Sequence, residues 1–94
     1  MGTKTSVSCG EQLNIQHVEG LKDRLIKALD KEPEYCTLNV SKVEKVDSAG
    51  LQLLYAFLKE SDKRKINIHW QNPSEAFLTS VALLGLSEEL KLQD

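Results

Sequence analysis

Apolar residues change their spacing several times along the 94-residue chain, and each change marks an element. Thr5-Ser6-Val7-Ser8-Cys9 alternates as far as Gly10 and predicts one short edge strand. From Asn14 the period lengthens, with Val18, Leu21, Leu25 and Leu29 recurring at three and four residues, as on one face of a helix. Asn14 is the expected N-cap of that helix and Pro33 closes it. Tyr35 to Val40 alternates again and predicts a strand with Cys36, Leu38 and Val40 on one face. Val43 and Val46 carry the apolar content on to Asp47-Ser48-Ala49-Gly50.

A dense helical run follows. Leu51, Leu54, Tyr55 and Leu58 form one stripe, and Leu53 and Phe57 widen it. So wide a stripe belongs to a helix buried against a sheet. The polar stretch Lys59 to Lys65 ends it, and Ile66-Asn67-Ile68-His69-Trp70-Gln71 predicts a strand with Ile66, Ile68 and Trp70 inward. Asn72-Pro73-Ser74-Glu75 reads as a helix start, with Asn72 as cap, Pro73 at the first helical position and Glu75 reaching back in a capping box. Phe77, Val81 and Leu84 mark the buried stripe of this last helix, and Gly85 its left-handed end. Leu90 and Leu92 suggest a final strand. The expected order is therefore β-α-β-α-β-α-β: an α/β fold with a mainly parallel sheet of about four strands and about three helices. One domain is expected over 1–94, with residues 1–4 outside the ordered part.

Composition narrows the function classes. Forty per cent apolar and 28% charged residues support a packed core, and the formal charge of −2 argues against a nucleic-acid binder, which carries a basic face. The start Met1-Gly2-Thr3-Lys4-Thr5-Ser6 lacks the apolar core of a signal peptide, and the longest apolar runs are far shorter than a membrane span. Cys9 and Cys36 stand alone without CxxC spacing, as expected of reduced structural thiols in a cytoplasmic protein.

Catalytic constellations are scarce. The chain has no GxxxxGK[ST] or GxGxxG loop to cradle a nucleotide phosphate. His17 and His69 fall on different elements and offer no metal-ligand spacing; His69 is expected to face outward. Ser48 lacks the GxSxG context of a nucleophile elbow. Lys63-Arg64-Lys65 reads as a solvated helix end. No enzyme activity, cofactor or metal is expected.

The remaining feature is Val46-Asp47-Ser48-Ala49-Gly50-Leu51, which joins a strand end to the most apolar helix. Asp and Ser are preferred helix caps, so the structural reading is an N-cap. The functional reading rests on position, because partner sites of open parallel sheets gather beyond the carboxyl ends of strands. Small residues there leave the helix terminus approachable, and the Ser48 hydroxyl is then an accessible phosphoacceptor.

At this point the chain resembles the STAS family, the domain of bacterial anti-sigma-factor antagonists. The resemblance runs from Gly10 to Leu92. It rests on Gly10-Glu11, on Leu38-Asn39-Val40-Ser41-Lys42-Val43-Glu44-Lys45-Val46-Asp47-Ser48-Ala49-Gly50-Leu51, on Asn72-Pro73, and on Leu83-Leu84-Gly85-Leu86. It implies a non-enzymatic protein-interaction switch that binds an anti-sigma factor, itself a serine kinase, and is released by phosphorylation at Ser48. The implied partner surface comprises Lys45, Asp47, Ser48, Ala49, Gly50 and Gln52. Two departures stand out. Family antagonists usually place two strands before the first helix, where this chain has residues for one, and they often carry a second serine where Ala49 stands. Related STAS proteins supply two alternatives: a subunit that binds the ATPase of an ABC lipid transporter, generally with threonine at the Ser48 position, and a scaffold in a chemotaxis or two-component cluster. No nucleic-acid partner and no membrane insertion are expected.

Overall fold

Backbone pairing divides the strands into two parallel ladders. The computed structural model describes residues 3–92. Strands β1 (Lys4–Ser8), β3 (Tyr35–Asn39) and β5 (Asn67–Gln71) form a parallel sheet in the order β1-β3-β5. The short strands β2 (Gln12–Leu13) and β4 (Lys45–Val46) form a second parallel pair. Helices α1 (Val18–Asp30), α2 (Ser48–Lys63) and α3 (Glu75–Leu83) complete a small α/β domain.

Period-two patterning explains why the sheet is one-sided. Val7, Cys36 and Leu38 are buried, whereas Lys4, Ser6, Ser8, Tyr35, His69 and Gln71 are exposed on the other face. Helix α1 packs on β1 and α2 on β5, so the apolar stripes of both helices meet the apolar face of the sheet. Leu21, Leu25, Leu29, Leu51, Leu54 and Phe57 join Leu38 and Val40 in a single core. Each such side chain contributes about 1.5–3 kcal/mol on burial. Among the described residues Ser61 is the buried polar exception, and its Oγ donates to the Phe57 carbonyl at 2.8 Å.

Several expectations are corrected. Helix α1 begins at Val18, because Asn14 is held in a turn: its carbonyl accepts the His17 amide at 2.9 Å and its Oδ1 accepts from His17 Nδ1 at 2.7 Å. Two strands, not one, precede α1; β2 pairs with β4 over two residues, too few to show a period. The cap of α3 is Ser74 rather than Asn72, with Pro73 outside the helix and Glu75 at its first position. Ser74 Oγ accepts the Phe77 amide at 3.1 Å and donates to the Val43 carbonyl at 2.7 Å, which ties α3 to the segment before β4. Residues 87–91 form turns where a last strand was expected. Leu90 is nonetheless fully buried, and its carbonyl accepts Trp70 Nε1 at 2.9 Å.

At the end of α3, Gly85 (φ +71°) takes the left-handed position that the spacing predicts, and the Leu86 amide reaches back to the Val81 carbonyl at 3.0 Å. Leu84, expected in the buried stripe, is 46% exposed because it lies at the cap beyond the last turn. Of the segment 1–4, residues 1 and 2 lie outside the described residues. Lys4 opens β1, and the Thr3 carbonyl accepts the amides of Glu34 and Tyr35.

Candidate functional site

Asp47 organises the junction of β4 and α2. Its extended backbone (φ −126°, ψ 177°) continues the strand, and its amide donates to the Leu13 carbonyl of β2 at 2.9 Å. Its side chain then does two separate things. Oδ1 accepts the Gly50 amide at 3.1 Å and caps α2, while Oδ2 accepts the Ile15 amide at 3.0 Å from the loop after β2. One carboxylate therefore satisfies two orphan donors and fixes the helix terminus to the β2–α1 loop.

Gly50 makes that approach possible. A Cβ built on it would lie 2.4 Å from the Leu13 carbonyl oxygen and 2.6 Å from its carbon, both backbone atoms. Any larger residue forces α2 away from β2. Asp47 and Gly50 together thus set the height and direction of the first turn, and both are committed to structure.

Ser48 stands between them with no such duty. It is the first helical residue of α2 and is exposed. Because Asp47 holds the capping position, the cap expected of the Asp-Ser pair is the aspartate alone. The amides of Ser48 and Ala49 have no protein acceptor among the described residues. These are the free donors of a helix N-terminus, aligned with its positive dipole end. Beyond the capping Asp47, the first turn of α2 holds no acidic residue.

The six residues singled out in the sequence separate into two groups. Ser48 and Gln52 are exposed one helical turn apart, Ala49 is half-buried beside them, and Lys45 is exposed on β4. Gly50 is buried and Asp47 half-buried, underneath the others. Ile15 was not anticipated. Its backbone is held against the start of α2 by Asp47, yet its side chain is 66% exposed. The signal for it was slight: one apolar residue among Asn14, Gln16 and His17, off the stripe of α1. The arrangement is an approachable hydroxyl on an uncovered helix terminus, with an apolar neighbour suited to a protein surface.

The other candidates lie apart from this point. His17 and His69 are exposed, and Arg64 forms an ion pair with Glu60 at 2.9 Å. Burial pushes the Cys9 thiol from its ordinary 9.0 up to about 12, partly opposed by the charge of Arg24, and burial also raises Cys36. Neither thiol is activated. Among the described residues no group of three or more His, Cys, Asp or Glu gathers to hold a metal. No helix among them is long and apolar enough to cross a membrane.

Comparison with known proteins adds the family. The family model of the STAS domain matches residues 3–94. A solved structure of a sulfate transporter family protein from Wolinella succinogenes is similar with a TM-score of 0.75 and 21% identity, covering 93% of this chain and 70% of that one. The anti-sigma factor antagonist SpoIIAA in its unphosphorylated form is similar with a TM-score of 0.71 and 18% identity, covering 92% of this chain and 76% of that one. At these identities the likeness is one of fold. No curated protein matches the chain.

Proposed function

The chain belongs to the STAS domain family, and from that premise we propose that it is a cytoplasmic, non-enzymatic protein-binding switch of the anti-sigma-factor-antagonist type, controlled by phosphorylation of Ser48. One observation carries the reading. Ser48 is exposed at the first position of α2, while Asp47 and Gly50 meet the structural demands of that turn. The serine is free to be modified because the fold does not use it.

A phosphate there adds about −1.5 to −2 charges at neutral pH. The free amides of Ser48 and Ala49 and the helix dipole favour an anion at this terminus and offset the repulsion from the neighbouring Asp47 carboxylate, so the domain stays folded when phosphorylated. The partner experiences the opposite effect. A surface that packs over Ser48, Ala49, Gln52 and Ile15, with Lys45 at its rim, accommodates a neutral hydroxyl. Packed over a dianion, it must bury an unpaired charge. The switch acts on the interface and leaves the fold unchanged.

The partner of this reading is a serine kinase that also serves as an anti-sigma factor. Pull-down from cells of the source organism, with mass spectrometry of bait and prey, tests the assignment. A serine kinase recovered with phosphate on Ser48 is the expected result. A transporter ATPase recovered with Ser48 unmodified would replace this reading with that of a transport subunit.

A further inference from the structure

Strand β1 is an edge of the parallel sheet, with β3 on one side and, among the described residues, no strand on the other. Its hydrogen bonding shows which groups face away from β3. The Thr3 carbonyl accepts the Tyr35 amide at 3.2 Å, and the Cys9 amide donates to the Asn39 carbonyl at 3.0 Å. Odd-numbered residues thus turn their backbone groups to β3, and the amides and carbonyls of Lys4, Ser6 and Ser8 point to the open side. Arg24 confirms the direction, because its Nη2 donates to the Ser8 carbonyl at 3.2 Å from outside the sheet.

Helix α1 lines this open side with positive charge. Arg24 and Lys27 on α1 and Lys31 at its C-cap recur at three and four residues and therefore lie on one side of the helix. With Thr5, Ser6 and Ser8 they border a cavity of about 440 Å³ whose lining contains no acidic residue. None of the three cations is ion-paired among the described residues, although the chain as a whole is net negative.

We propose that the β1 edge and the cationic face of α1 form a second docking surface, which takes an extended acidic segment of a partner polypeptide as an added strand. Main-chain bonds to Ser6 and its neighbours hold such a segment, and acidic side chains at alternate positions reach Arg24, Lys27 and Lys31. Charge selects the occupant. A second copy presenting the same edge brings like charges together, and basic residues beside an edge deter that pairing. The surface does not depend on the Ser48 reading.

Fluorescence anisotropy with a labelled peptide that alternates valine and glutamate tests this, with the lysine counterpart as control. The glutamate peptide is expected to bind with a Kd below about 1 mM, and the lysine peptide not to bind. The double variant Lys27→Glu/Lys31→Glu should weaken binding about tenfold or more. Ser6→Pro removes an edge donor that the native sheet does not use, so the fold is retained while affinity falls about threefold. Backbone amide shifts at Ser6 and Ser8 of the unmodified chain give the same information without a substitution. Equal binding of the two peptides, or amides at Ser6 and Ser8 that do not respond to the glutamate peptide, would overturn the proposal.

Discussion

Asp47, Ser48 and Gly50 are neighbours in sequence with divided labour, and substitution separates their roles. Asp47→Ala removes the cap on Gly50 and the acceptor of the Ile15 amide together, and is expected to cost about 1–3 kcal/mol in urea denaturation. Ser48→Ala should stay within about 0.5 kcal/mol of the parent, because Ser48 is exposed, Asp47 supplies the cap, and the hydroxyl makes no hydrogen bond among the described residues. Comparable losses in the two variants would show Ser48 to be a structural residue and remove the basis for a free phosphoacceptor. The Asp-Ser-Ala-Gly run was legible in the sequence as a helix start. Which of the two side chains serves as cap was not, because both residue types are good caps and the choice depends on where Leu13 and Ile15 lie. The same limitation hid Ile15, whose place beside α2 is set by a hydrogen bond spanning 32 residues of chain.

Elements with a strong period were legible, and those without one were not. The alternation of Ile66, Ile68 and Trp70 and the helical stripe of Leu51, Leu54 and Leu58 mark β5 and α2, because one face of each must be buried. Strand β2 escaped notice because two residues cannot alternate, and the buried Leu90 imitated a strand because a turn packed on Trp70 hides an apolar side chain equally well. Between β2 and α2 the decisive contact is backbone against backbone at Gly50. Gly50→Ala improves helix propensity by about 1 kcal/mol, yet it places a methyl group within the Leu13 carbonyl. A net destabilisation of about 1 kcal/mol or more is expected, read as a lowered denaturation midpoint. A variant as stable as the parent would mean that α2 and β2 are not held at this spacing.

For the whole molecule, the one-sided sheet leaves a polar face and a β1 edge on the outside, while both thiols lie in the core. Cys9, raised to about 12 by burial, links stability to alkaline pH. Its folded pKa lies above its unfolded value, so its contribution is complete below the ordinary 9.0 and is lost as pH rises through 9 towards 12. Unfolding free energy should therefore fall over that range, and Cys9→Ala should flatten the fall; an unchanged slope would contradict the assignment. At neutral pH neither thiol should react with a maleimide in the folded protein. The central claim is that Ser48 switches an interface without refolding the domain. Its most direct test is isothermal titration of the captured partner against the unphosphorylated and Ser48-phosphorylated chain, with circular dichroism of both forms. The account predicts superimposable spectra and binding weakened about 30-fold or more, equivalent to about 2 kcal/mol. Equal affinity of the two forms, or tighter binding of the phosphorylated one, would contradict it.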